Sequence, residues 1–263
     1  MKEGYLKEKC KWSVIPDIDD LKRFSDLAEE FDLSFEYNDF YLPSVYDDPD
    51  EIKRRIEIYK KVERDRSDDT LHGAFYDISI TSDDPVIRKR SRDLAYLSMD
   101  AAQRLGCRGV VFHTGLISGL NLEKYISGWV SSMSEYLHEL AGEFPDIGIY
   151  MENTFEQTPD PLTDLMEKTT DLKNVGICLD YAHAVLTDTE PSGWFEKTAP
   201  YIRHMHLNDN DLNADLHLAV GEGSVDFREF EHLMAAYEPE TRILLEIKGY
   251  EGARTSLINI SKM

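Results

Sequence analysis

Cysteine is scarce. Cys10, Cys107 and Cys178 are the only three in 263 residues, and no pair has CxxC spacing. That excludes a disulfide framework and a cysteine zinc knuckle, and it fits a reducing compartment. Long apolar runs are also missing. No stretch approaches the ~20 apolar residues of a membrane span. The opening MKEGYLKEKC is charged where a secretory leader needs an apolar segment. A cytoplasmic protein without membrane association is expected. Basic residues are few: 29 Lys and Arg against 51 Asp and Glu leave a net charge of −22. Such an excess repels phosphate backbones and anionic lipid at long range, which disfavours nucleic acid as a partner. No low-complexity linker or internal repeat divides the chain, so one domain over residues 1–263 is expected.

Hydrophobic residues make up 41% and aromatics 11%, enough to bury a core and exclude wholesale disorder. Short apolar runs alternate with longer amphipathic stretches. Strands are predicted at 11–15, 33–37, 70–73, 108–113, 146–152, 175–180, 202–207 and 241–247. Helices are predicted at 18–31, 50–65, 85–105, 121–142 and 226–237, several opening on acidic residues or Pro. Eight strand signals alternating with helices at this length predict a single (β/α)8 TIM barrel. The runner-up, an open doubly wound sheet, is weakened because no GxGxxG follows the first strand.

In a parallel barrel the C-terminal strand ends build the active site. Those ends carry His72, His113, Glu152, Asp180, His206 and Glu246. His183 follows Asp180 by three residues, and Asp215 and His217 lie in the loop after His206. Polar groups closing GVVFH, GIYME, GICLD and RILLE are costly to bury unpaired. Several carboxylates and imidazoles on one mouth call for a cation. Mixed His and carboxylate ligation suits zinc, manganese, cobalt or iron better than calcium. Asp215 and His217, two apart on an extended loop, are expected on one side of it. His138 and His232 fall on predicted helices, as surface or packing residues. His204 is in phase with His206 and should point inward one layer lower, as a hydrogen-bonded core residue or a partner of a ligand.

The segments LHGAFYDIS, FHTG, YMENTF, GICLDYAHA, HMHLND, DLHLAVGEGSVDF and LLEIKG run in order from residue 71 to 249. Together they resemble the xylose-isomerase-like barrel superfamily, which includes sugar and sugar-phosphate isomerases and epimerases as well as endonuclease IV. The resemblance implies a core metal site of Glu152, Asp180, His206 and Glu246. In the isomerase branch it implies one divalent ion (zinc, manganese, cobalt or magnesium) and an acid/base pair, Glu152 and Glu246. These would move a proton through an enediolate of a hydroxy-ketone sugar, with His183 contacting substrate. The endonuclease branch implies three zinc ions on nine ligands. This chain matches all nine: His72, His113, Glu152, Asp180, His183, His206, Asp215, His217 and Glu246.

HGAFYDIS and ENTFEQTP look like the isomerase branch. The loops after the predicted strands contain one basic residue, Lys248, where a duplex-binding enzyme needs several. The expected function is therefore a divalent-metal-dependent isomerase or epimerase of a small neutral or singly phosphorylated sugar or polyol. The alternative is an endonuclease IV-like zinc phosphodiesterase. Phe75, Tyr76, Tyr181 and Trp194 are expected to wall the mouth with flat apolar faces. Asn153 and Asn208 are expected to bind hydroxyls or orient ligands. Glu36, at the end of the second strand, and Lys248 are further candidate substrate contacts. Gly221 and Gly223 are expected to permit a tight turn. Homo-oligomerisation is left open.

Overall fold

The computed structural model describes residues 4–117, 119–120, 122–154 and 156–263. The chain runs α1 (Tyr5–Lys9), β1 (Lys11–Val14), α2 (Leu21–Phe31), β2 (Ser34–Tyr37), α3 (Pro43–Tyr46), α4 (Pro49–Lys60), β3 (Thr70–His72), α5 (Pro85–Leu105), β4 (Gly109–His113) and α6 (Glu123–Glu143). It continues with β5 (Gly148–Glu152), α7 (Asp160–Lys168), β6 (Val175–Asp180), α8 (Tyr181–Ala184), α9 (Pro191–Thr198), β7 (Ile202–Leu207), α10 (Phe227–Tyr237), β8 (Arg242–Leu245) and α11 (Tyr250–Ile260). All eight strands are parallel. β8 pairs with β1 through Trp12↔Ile243 and Val14↔Leu245, which closes the barrel and removes both sheet edges. The open sheet is thereby excluded.

Each strand is covered on one side by helices and on the other by the barrel interior, so the strands are almost wholly buried. The helices begin where the sequence predicts caps. Asp84 accepts from the amides of Val86 and Ile87 ahead of α5, with Pro85 at its first position; Asp48 and Asp226 do the same for α4 and α10. The predicted 50–65 helix stops at Lys60. There the Arg66 guanidinium reaches back to the carbonyls of Tyr59 and Val62 and satisfies the helix end. The predicted start of the 121–142 helix, Asn121, and Phe155 of ENTFEQTP lie outside the described residues.

The barrel interior is packed rather than hollow. The Tyr150 ring points inward between β4 and β5. A Cβ on Gly109 or Gly148 would collide with it, so glycine at both positions makes room for the ring. Tyr150 stacks on His204 with centroids 5.9 Å apart. This plug supports the floor on which the polar strand ends sit.

Candidate metal centre

The six polar strand ends converge at the C-terminal mouth. Ligand atoms of Glu152, Asp180, His206 and Glu246 lie within 4.8 Å of one another, as do those of His72, His113 and Glu152. Glu152 belongs to both groups and faces each with a different oxygen. Oε1 is 3.2 Å from His206 Nδ1; Oε2 is 3.4 Å from Nε2 of both His72 and His113. From β8, Glu246 Oε2 also comes within 3.2 Å of His206 Nδ1. Asp180 uses one carboxylate oxygen to cap α8 at the His183 amide, 2.7 Å away.

The donor set suits a divalent cation. Glu152 Oε2, Asp180 Oδ2 and Glu246 Oε2 are buried and, among the described residues, have no partner in hydrogen-bonding geometry. Three such carboxylates side by side are unstable without positive charge. In its absence the imidazoles supply that charge by holding protons. Burial opposes ionisation of Glu152, yet His206 and His113 hold its carboxyl well below the usual range. Burial opposes protonation of His206 too, but the charges of Glu36, Glu152 and Glu246 hold its imidazole well above its ordinary value. Asp180 is pushed up to about 7, first by burial and then by the charges of Glu246 and Glu152.

The outer imidazoles are aimed by the main chain. Nδ1 of His72 faces the Gly73 carbonyl at 3.0 Å, that of His183 the Asn153 carbonyl at 2.7 Å, and that of His217 the Glu246 carbonyl at 2.8 Å. A carbonyl only accepts, so each Nδ1 carries the proton and donates it. Each Nε2 then presents a lone pair when the ring is neutral. Asp215 Oδ2 lies 3.3 Å from His183 Nε2 and 2.7 Å from His217 Nε2, so this trio meets as the sequence predicts. His217 sits in the left-handed region, with φ 49°. Its loop is built around Asp209, whose carboxylate accepts from the amides of Asn210, Gly221, Gly223 and Val225. A Cβ on Gly223 would collide with that carboxylate and with the Asn210 carbonyl.

Several expected substrate contacts lie elsewhere. Tyr181 is fully buried, 4.6 Å from the Phe230 ring, because the Asp180 cap starts α8 at Tyr181 and turns it into the helix layer. Trp194 is fully buried on α9 and donates to Thr187 Oγ1. Asn153 spends its amide on both backbone groups of Asp180, at 2.8 and 2.9 Å, and so pins the end of β6. Glu36 lies beneath the site. Its Oε2 accepts from Thr70 Oγ1 at 2.7 Å and from His204 Nε2 at 2.9 Å, and its Oε1 is 3.2 Å from His206 Nε2. His204 is buried one layer below His206, as its phase predicts. Asn208 approaches Asp215 at 3.4 Å. His138 and His232 are exposed on their helices.

Phe75, Tyr76 and Lys248 do face the cavity above the cluster, which has a volume of about 560 Å³. Tyr41, Gln157, Thr187 and Asn213 line it too, and sequence reading did not single them out. The available signal was their position in post-strand loops; Tyr41 follows β2 in a segment notable mainly for its acidity.

The sequence matches the xylose isomerase-like TIM barrel family over residues 27–261. The chain belongs to that family. Within the xylose isomerase-like barrels it is 25% identical over 203 residues to an uncharacterised protein of Methanocaldococcus jannaschii, covering 74% of this chain and 76% of that one. It is 30% identical over 207 residues to a probable endonuclease 4 of Chlorobium luteolum, covering 67% and 70%. Among solved structures it is similar to a D-tagatose 3-epimerase-like protein, with 25% identity, 96% of each chain covered and a TM-score of 0.75. The likeness thus runs to epimerases in structure and to endonuclease 4 in sequence.

Proposed function

We propose that this chain is a divalent-metal-dependent isomerase or epimerase of a small sugar or polyol. The observation that carries the reading is the placement of Glu152 and Glu246. They stand at the end of β5 and immediately after β8, meet the same His206 nitrogen at 3.2 Å, and open onto the cavity. Glu152, Asp180, His206 and Glu246 would hold the ion. When bound, it would polarise a substrate carbonyl and acidify the neighbouring C–H. The carboxyls of Glu152 and Glu246 are both held below the usual range, chiefly by His206 against the opposing effect of burial, so each is available as a base at neutral pH. One glutamate takes the C–H proton, leaving an enediolate. Return from the same carboxyl to the adjacent carbon, with the hydroxyl proton passing from one enediolate oxygen to the other, isomerises; return from the other glutamate to the original carbon inverts the centre. His183, held by the Asn153 carbonyl, faces the reacting oxygens.

The second reading is an endonuclease IV-like phosphodiesterase. The complete nine-residue donor set, with three imidazoles aimed by carbonyls, favours it. The mouth opposes it: Lys248 is the one basic residue in the post-strand loops, and a duplex needs several phosphate contacts. Two measurements separate the readings. Metal content of protein purified without added metal is expected near one equivalent for the isomerase and near three for the phosphodiesterase. Turnover on a ketose panel is expected, with weak binding to a fluorescent abasic duplex at low salt. Tight duplex binding with efficient nicking would reverse the ranking.

A further inference from the structure

The cavity has more room than one sugar ring needs. It measures about 560 Å³. A hexose takes at most roughly 360 Å³, even if each heavy atom is allowed the ~30 Å³ of a molecule in liquid water. The surplus lies beside an aromatic column. Phe75 stacks on His113 at 4.5 Å and 23°, and on Tyr41 at 5.1 Å and 18°. Phe75 is therefore packed against two rings. Among the described residues, further aromatic surface at the cavity belongs to Tyr41 and to Tyr76, which packs against Phe75 at 4.5 Å and is 52% exposed. Tyr41 is thus joined to the cluster by way of Phe75 and His113. Elsewhere on the cavity wall stand Gln157 and Asn213, whose amide groups are suited to sugar hydroxyls.

We propose that the substrate has two rings: a reacting sugar at the carboxylate cluster and a second, uncharged sugar ring lying against Tyr41 and Tyr76. A disaccharide or glycoside has this form. Aromatic faces take the C–H face of a sugar, and the near-absence of basic residues leaves a charged second group without partners. The proposal rests on the isomerase reading for the reacting ring alone.

The test compares D-fructose and D-tagatose with the ketose disaccharides isomaltulose and lactulose on the magnesium- or zinc-loaded protein. Turnover is measured together with saturation-transfer NMR. The disaccharides are expected to show higher kcat/KM than the monosaccharides, with saturation on the non-reacting ring. Tyr41→Ala should lower kcat/KM for the disaccharides about three- to tenfold more than for the monosaccharides, the loss of one stacking contact. Equal turnover of both classes without saturation of the second ring overturns the two-ring substrate and leaves the isomerase intact. Saturation of both rings without turnover supports the second-ring site and overturns the isomerase. Neither binding nor turnover by any of the four overturns both.

Discussion

Replacing Glu36 by Gln removes a negative charge from beneath His206 while keeping the side chain's shape. In the native site Oε2 receives Thr70 Oγ1 and His204 Nε2, and Oε1 faces His206 Nε2 at 3.2 Å. When a metal displaces the proton from Nδ1, Glu36 would keep the remaining proton of His206 on Nε2 and leave the Nδ1 lone pair free between Glu152 and Glu246. A glutamine cannot meet both demands. If its carbonyl stays with Thr70 and His204, its NH2 faces His206 Nε2. The imidazole proton must then move to Nδ1, where it blocks the ligand. If the amide flips, the NH2 opposes two buried donors. Loss of such a supporting partner typically weakens metal binding about 10–100-fold, or about 1.4–2.7 kcal/mol. Competition against a chromophoric chelator measures the affinity without reference to turnover, and circular dichroism with a denaturant midpoint confirms folding. A folded Glu36→Gln protein whose metal Kd stays within about twofold of native refutes this account of His206.

Glu152→Gln and Glu246→Gln should each reduce turnover by about 10²–10⁴-fold with an unchanged circular dichroism spectrum; near-native turnover in either removes that carboxylate from the acid/base pair. Metal uptake should release protons and strengthen as pH rises toward 9. The reason is that Asp215 and Glu246 carry His217 up to about 9 against the opposing effect of burial, and His183 and His206 also stand above their ordinary values. Calorimetry in buffers of different ionisation enthalpy checks this, and a heat independent of buffer contradicts it. The same raised imidazole sets a sign for the metal-free protein. The His217–Asp215 pair contributes its full stability below the unfolded value of roughly 6.5 and loses it as pH rises through about 9, so the melting temperature should fall across that window. Asp209→Asn leaves the Gly221 and Gly223 amides facing an NH2 group, at a cost of about 1–3 kcal/mol for each lost partner; an unchanged urea midpoint would show that the loop does not depend on that carboxylate.

The barrel and its donor cluster were legible because both follow from short-range rules. Short apolar runs between capped helices, the last six of the eight closing on or beside His, Asp or Glu, locate strand ends directly, and the observed strands lie within the predicted segments. The mouth walls were less legible. Whether Tyr181 faces the cavity or the helix layer depends on a one-turn helix that Asp180 starts as a cap, and period-2 or period-3.6 patterns do not encode that turn. Glu36 was placed at the rim because it nears the end of β2. The stagger of the barrel puts it level with Thr70, the first residue of β3, and so below the rim. Tyr41 became visible only as the partner of Phe75, across two different loops.

The carbonyls that orient His72, His183 and His217 belong to the polypeptide itself, and every amino acid supplies one. An orienting Asp or Asn can be lost by a single codon change; these cannot. The aim of the ligands is therefore buffered against drift at the supporting positions, provided that the strand ends keep their path. The loops beyond them carry no such obligation. New basic or aromatic residues can enter at exposed rim positions such as Leu42 and Tyr76 and change what is admitted without retuning the cage below. For protein engineering this makes the exposed rim the modular part. A library confined to such positions should redirect substrate choice while each member still loads metal like its parent.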